Sequence, residues 1–229
     1  MNFLATTPRP FKRILRALLL STLLSATAFA TAQMPDILIY KGEEYSLHIN
    51  PLDEFFYKNP DVKLPKSSTL VISSALWRGY LATFEIKNDY FFIKNVQTLT
   101  GDGKGTAESR WKSVINDIFK ETMSRRLDWF SGLLILPRGK VVDYVHLGYA
   151  STFENYTLLE IDKGKCVKER HFSTEGYSKF KKKQFKAFKK TDEYNRLINK
   201  FNEQGVSKKR AIANIRNRVV YYSKKILVD

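Results

Sequence analysis

The chain has 229 residues with one cysteine, three histidines and a formal net charge of +16 at pH 7. One cysteine excludes an intramolecular disulfide, and a chain of this length buries enough surface to hold a core without cross-links. The positive excess points to acidic partners, and its position along the chain indicates where they would bind.

The first 32 residues have the layout of a secretory signal peptide. Residues 1–16 carry four basic and no acidic side chains, and Ala17–Phe29 is an apolar run of 13 residues. Small-x-small patterns end at Ala30 and at Ala32, as signal peptidase requires. A bilayer-spanning helix takes roughly 20 apolar residues, so the run favours a cleaved signal over a retained anchor. We therefore predict a secreted or periplasmic protein with no transmembrane segment after cleavage.

Two β-hairpins are predicted in the first part of the body, which we define as residues 33–173. Their turns are Gly42-Glu43 and Asn88-Asp89, each between runs rich in β-branched and aromatic residues. The predicted strands are Ile37–Lys41 with Glu44–Ile49, and Trp77–Ile86 with Tyr90–Val96. Between the hairpins, Leu52–Tyr57 predicts one helical turn and Leu70–Ser73 a short strand.

A central helix is predicted at Glu108–Glu121, because apolar residues from Trp111 to Phe119 repeat at helical spacing. The loop before it, Gly101–Gly105, is rich in glycine. It lacks the spacing of a phosphate-binding P-loop and the oxygen ligands of a calcium loop. We interpret it as a turn.

Four successive strands are predicted after this helix, and the body is organised around them. Their bounds are Leu127–Leu136, Val141–Tyr149, Tyr156–Asp162 and Cys166–Phe172. Most breaks between them carry Gly, Pro, Asn or Ser, which suit turn dihedrals. Short connections favour antiparallel neighbours, so the pattern predicts a meander. Cys166 is expected to be a small, buried residue on the last strand.

The C-terminal region, residues 174–229, is predicted to be helical and strongly basic. It holds 16 Lys and Arg against 5 Asp and Glu, a net of +11, whereas residues 33–173 hold 19 against 18, a net of +1. The predicted helices are Ser178–Lys190, Glu193–Glu203 and Lys208–Leu227. The whole chain therefore predicts an α+β fold, in which the central helix and this region cover an antiparallel sheet of two hairpins and a meander.

The first C-terminal helix separates aromatic from basic side chains. Its aromatic side carries Tyr177, Phe180, Phe185 and Phe188, with Lys181 among them. Its opposite side carries six lysines: Lys179, Lys182, Lys183, Lys186, Lys189 and Lys190. A concentrated positive face attracts anions over roughly 8–10 Å at physiological salt, although a merely solvated helix shows the same arrangement. We favour a non-enzymatic binding protein that meets an acidic protein, or an anionic lipid or polymer of the envelope, through these lysines.

An enzyme is the alternative. His146 lies on a predicted strand and Glu154 follows in the next turn, so a hydrolase acting on envelope material or polysaccharide could be centred on these two residues. Nothing in the chain resembles a nucleophile elbow. The histidines share no ligand spacing with one another or with Cys166, so no metal and no cofactor is predicted.

Two short motifs place aromatic rings beside charge, Trp77-Arg78-Gly79-Tyr80 and Asp128-Trp129-Phe130. Flat rings stack on sugar faces, so either motif could line a sugar-binding groove; packing in the core or at a sheet edge is the other interpretation. Nucleic-acid binding is a third function, and it needs stacking aromatics exposed beside the lysines. Burial of the aromatic side of the helix would count against it.

Three runs in the body resemble a family of uncharacterised secreted bacterial proteins. They are Asp128–Pro137, Tyr144–Tyr149 and Leu159–Gly164. The resemblance covers the chain after the signal as far as about Phe188, and its motifs are structural in character. It implies a bacterial, exported protein, and it assigns no activity and no functional residue.

Overall fold

The computed structural model describes residues 33–64, 74–99, 111–120 and 124–228. The predicted signal peptide, the Leu70–Ser73 strand and the glycine-rich loop lie outside these residues. The strands are β1 Asp36–Tyr40, β2 Glu43–Leu47, β3 Leu81–Lys87, β4 Tyr90–Leu99, β5 Trp111–Ser113, β6 Gly132–Asp143, β7 Thr152–Asp162 and β8 Lys165–Ser173. The helices are α1 Pro51–Lys58, α2 Ile115–Ile118, α3 Thr174–Phe188, α4 Asp192–Glu203, α5 Lys208–Asn217 and α6 Val219–Tyr222.

The fold is α+β, with a mixed, mostly antiparallel sheet of eight strands and helices that are mostly C-terminal. The strand order is β2-β1-β3-β4-β8-β7-β6, and β5 pairs with β4. Both hairpins are confirmed, and their turns use left-handed backbone at Lys41-Gly42 and Asn88-Asp89. A purely antiparallel sheet was the wrong prediction, because β1 and β3 run parallel. The connection between them contains α1, and such a crossover lets strands run parallel.

The sheet curls until its two edge strands meet. The backbone N–H of His48, just after β2, donates to the carbonyl of Ile135 in β6 over 2.9 Å. The link in the middle is narrow, since β4 and β8 pair at Tyr90 and Lys165 alone among the described residues. Leu127 and Arg125 supply further backbone hydrogen bonds to β4 beside that link.

The predicted meander has three strands instead of four. Strand β6 continues through Pro137 to Asp143. At the predicted break its pairing with β7 only shifts register, between Arg138 and Val141. Proline is tolerated there because β6 is an edge strand whose outer N–H groups need no ladder partner. Residues 144–149, which were expected to continue a strand, belong to a loop that runs from 144 to 151. Cys166 lies half-buried on β8, where burial raises the pKa of its thiol to about 11.

The central helix was also predicted wrongly over the part that the structure describes. Trp111–Ser113 is strand β5, paired with β4, and Ile115–Ile118 is a single helical turn. Four of the five apolar residues that suggested a helix are nevertheless buried, including Val114 and Phe119, and Trp111 is half-buried. Pairing with β4 overrides the local helical spacing.

Two apolar clusters occupy the two faces of β6 and β7. Because successive strand side chains alternate, Leu134 and Leu159 belong to one cluster and Leu133 and Leu158 to the other. The first cluster gathers side chains from β1 to β4, α1 and α2. The second joins the sheet to the C-terminal helices, and its largest helical members are Tyr177, Phe180, Phe185 and Phe188.

The predicted C-terminal helices are confirmed, with one change. Ser173 caps α3, since its Oγ accepts the N–H of Gly176 at 3.2 Å. The third predicted helix is divided at Arg218 into α5 and α6. Gln184 is fully buried, and it holds the end of the chain by donating to the carbonyl of Lys225 and accepting from the N–H of Leu227.

Candidate functional site

The lysine face of α3 is exposed to solvent. This face consists of Lys179, Lys182, Lys183, Lys186, Lys189 and Lys190, and all six are exposed. Lys179 approaches Glu175 at 3.9 Å, with both side chains open to water. Lys182, Lys183, Lys186 and Lys190 make no ion pair with any described residue. The carboxylates of the described body therefore leave these positive charges uncompensated.

The opposite side of α3 is fixed against the sheet. Tyr177 stacks on Tyr156 of β7 with ring centroids 4.2 Å apart, and Phe180 lies 4.9 Å from Phe172 of β8. Phe185 and Phe188 are buried as well. These aromatics are therefore unavailable for stacking on nucleic-acid bases, which weighs against that function.

The positive face continues from α3 onto α5. Lys189 Nζ and Arg216 Cζ each lie 5.5 Å from the ring centroid of Phe185, so the two cations are at most 11 Å apart. Lys181 is different, because it folds over the ring of Tyr177 at 4.8 Å and is half-buried. Burial lowers the pKa of the Lys181 amine. Lys181 therefore packs as an aliphatic stem on the aromatic side, and it is not part of the lysine face.

The hydrolase prediction placed His146 on a strand and Glu154 in the next turn, whereas the structure has His146 in a loop and Glu154 on β7. His146 is exposed in the loop after β6, where its ring contacts Tyr144 edge to face with centroids 4.6 Å apart. Glu154 is exposed on β7, and its Oε2 accepts the backbone N–H of Lys140 at 2.9 Å. Neither residue lines either of the two cavities described below. The hydrolase alternative stays a prediction.

A buried ion pair in the body had no counterpart in the sequence interpretation. Arg78 binds Asp36 through two hydrogen bonds, Nη1 to Oδ2 at 3.0 Å and Nη2 to Oδ1 at 3.1 Å, and both side chains are almost fully buried. Asn50 Oδ1 also accepts from Arg78, at 2.6 Å, and from the hydroxyl of Tyr149 at 2.9 Å. Burial raises the pKa of Asp36 to about 6 against the opposing charge of Arg78.

Asp53 of α1 lies between two cavities and has a tyrosine hydroxyl on each carboxylate oxygen. Tyr80 donates to Oδ1 at 3.2 Å and Tyr221 to Oδ2 at 3.4 Å. Burial raises the pKa of Tyr221 to about 12. The smaller cavity, about 210 Å³, opens between α1 and the C-terminal helices and is lined by Glu54 and Glu193. The larger, about 400 Å³, opens beside Arg78.

Asp53 and Asp36 were missed because neither lies in a local pattern. Asp36 is 42 positions from Arg78, and Asp53 is 27 positions from Tyr80. The sequence did contain one indication of these contacts, the motif Trp77–Tyr80, in which aromatic rings flank a charged residue. Trp77, Arg78 and Tyr80 of this motif line the larger cavity. In the other aromatic motif, Phe130 is buried and lines the smaller cavity, and Trp129 packs on the core.

Comparisons with protein-family models, with curated proteins and with solved structures find no match to the chain. The resemblance to a family of secreted bacterial proteins therefore stays a prediction. No helix in the described part of the chain has the length and apolar character needed to cross a bilayer. Within the same residues, no three His, Cys, Asp or Glu side chains come together as metal ligands would.

Proposed function

We propose that the protein is an exported, non-enzymatic binding protein whose basic C-terminal helices hold an acidic partner. The partner is an anionic lipid or polymer of the envelope, or an acidic protein. The observation that supports the proposal best is the lysine face of α3, five of whose six lysines make no ion pair with a described residue. Exposed, uncompensated charge of one sign raises the local concentration of counter-charged ligands.

Binding through this face is electrostatic, with no insertion of the helix into lipid. An amphipathic helix that enters a membrane places its own apolar side among the acyl chains. The apolar side of α3 already packs on β7 and β8 through Tyr177 and Phe180. The lysines therefore meet the surface of the partner, and high salt should release it because exposed charges are screened.

The spacing of the lysines suits a partner with repeated negative charge. Lys179 and Lys186 are two helical turns apart, and the axial distance between them is about 10 Å. Lys182 and Lys183 lie between them on the same side. A rigid row of this kind matches a row of lipid head groups or the repeat of an acidic polymer, with no change of shape in the protein.

The first experiment reverses four charges of the lysine face: Lys182, Lys183, Lys186 and Lys190, each to Glu. The full chain is expressed for export with its own N-terminal 32 residues, and binding to anionic vesicles and to a heparin-like resin is measured across a salt gradient. Each lysine near an anionic surface contributes about 1 kcal/mol, so we expect a loss of affinity for the vesicles of roughly a thousandfold.

A matched control reverses four exposed lysines of the body, Lys87, Lys112, Lys163 and Lys168, which make no ion pair with a described residue. The two variants have the same net charge, so they differ only in where the charge was reversed. We expect the control to keep most of its affinity. Equal retention of the two variants, or retention unchanged from that of the native protein, would reject the proposal.

A further inference from the structure

The larger cavity has the residue types of a ligand site, and the lysine face plays no part in it. It is widely open to solvent, and its volume of about 400 Å³ is within the usual range for small-molecule pockets. Its lining combines three aromatic rings with three charged side chains: Phe56, Trp77 and Tyr80 with Asp53, Lys63 and Arg78.

Gly79 sets the directions of the side chains around it. Its φ of +77° lies in the left-handed region, which an L side chain rarely adopts. Arg78 and Tyr80 are buried on either side of it, with the guanidinium carbon 4.9 Å from the ring centroid. Trp77, which directly precedes Arg78, is 70% exposed. The motif therefore places a flat, solvated indole on the wall of this cavity.

The polar groups of the cavity offer both acceptors and donors. The Asp53 carboxylate accepts from two tyrosine hydroxyls, and a carboxylate has about four acceptor positions. Arg78 is 92% buried; its Nη atoms bind Asp36, Asn50 and the Met34 carbonyl, and its Nε is closed to solvent, so it contributes charge to the cavity but no hydrogen bond to a ligand. Lys63 adds an exposed ammonium group.

We infer that this cavity binds a saccharide. A pyranose ring has an apolar C–H face that packs on the indole of Trp77. Its neighbouring hydroxyls both donate and accept, so they can donate to Asp53 on one side and accept from Lys63 on the other. A wholly apolar ligand would leave these groups without partners.

Isothermal titration calorimetry of the full chain tests the inference with three named hexasaccharides: cellohexaose, chitohexaose and hexagalacturonate. We expect at least one to bind saturably with a dissociation constant of about 1 mM or tighter. Two of the three are uncharged, so the lysine face adds no attraction to them. Failure of all three to bind would overturn the inference, as would binding of free phenylalanine in place of the saccharides.

Substitution of Trp77 locates the site. Because stacking on a large ring supplies much of such a contact, Trp77→Ala should weaken binding about tenfold or more, and Trp77→Phe should restore part of it. Tyr57→Ala is the matched control, since Tyr57 is 77% exposed on α1 and does not line the cavity. Equal affinities of Trp77→Ala and Tyr57→Ala would place the saccharide elsewhere and overturn the assignment.

Discussion

The body and the C-terminal region handle charge in opposite ways. In the body, Arg78 and Asp36 are buried against each other and joined by two hydrogen bonds. On α3, five of the six lysines of the lysine face stand in water with no ion pair among the described residues, and the aromatic side of the helix alone is buried. The buried charges of the body interact with each other inside the fold, whereas the exposed lysines of α3 remain available to bind a partner.

The two arrangements differ in how much stability is lost when a charge is removed. A buried charge depends on its partner, because its water of hydration has been removed and cannot be replaced when the partner is lost. An exposed charge keeps its hydration, so its removal changes stability little. Substitutions in the body should therefore affect folding, and substitutions on the lysine face should affect binding.

Loss of Arg78 should have the largest effect. Arg78→Ala leaves the Asp36 carboxylate buried without its cation, and we expect the free energy of unfolding to fall by about 3–5 kcal/mol. Urea denaturation followed by circular dichroism measures this change. The double variant Arg78→Met with Asp36→Leu removes both charges and should lose less. A loss below about 1 kcal/mol in Arg78→Ala would show that the pair is not a structural requirement.

Burial of His48 should make stability depend on pH. Its ring stacks on Tyr149 with centroids 4.7 Å apart and meets Phe153 edge to face, and burial lowers its pKa from 6.5 to about 4. The folded protein therefore binds this proton less readily than the unfolded chain. Stability from this group is present above pH 6.5 and is lost as pH falls toward 4, by about 3 kcal/mol in total.

His48→Phe isolates that contribution, because phenylalanine keeps the ring contacts and does not titrate. The difference in unfolding free energy between the native protein and His48→Phe should be constant above pH 7. Between pH 6.5 and pH 4, the unfolding free energy of the native protein should fall relative to that of His48→Phe. Unfolding titrations at a series of pH values give this difference, and a flat difference across the range would contradict the buried, neutral histidine.

The smallest change in stability is expected on the lysine face. There a substitution should raise the free energy of unfolding, whereas Arg78→Ala lowers it. Lys183 lies one helical turn from both Lys179 and Lys186, and like charges at this spacing destabilise a helix by a few tenths of a kcal/mol. Lys183→Gln should therefore raise the free energy of unfolding slightly at low salt, and the gain should disappear at high salt. Lys58→Gln is the contrast, since it breaks the pair with Glu54 at 2.6 Å and should lower stability by a similar amount. A loss of stability in Lys183→Gln at low salt would remove the proposed contrast between the two regions.

Local sequence was sufficient where a short stretch decides its own conformation. The turns at Lys41-Gly42 and Asn88-Asp89 join strands that are adjacent in the chain, so both hairpins were predictable. The segregation of rings from lysines on α3 follows from side-chain spacing on a helix, and so did the burial of Phe180 and Phe188. The predicted lysine face could be placed for the same reason.

Tertiary structure decided the features that join distant parts of the chain. Strand β5 forms because Trp111–Ser113 pairs with β4, although its own spacing favours a helix. Strand β6 passes through Pro137 because it lies at an edge of the sheet, which no local pattern reveals. The cavity beside Trp77 needs Asp53 from α1 and Arg78 held by Asp36 from β1. Such contacts depend on where the curled sheet brings its strands, and the physical reason is that pairing and burial energies between remote segments outweigh local preference.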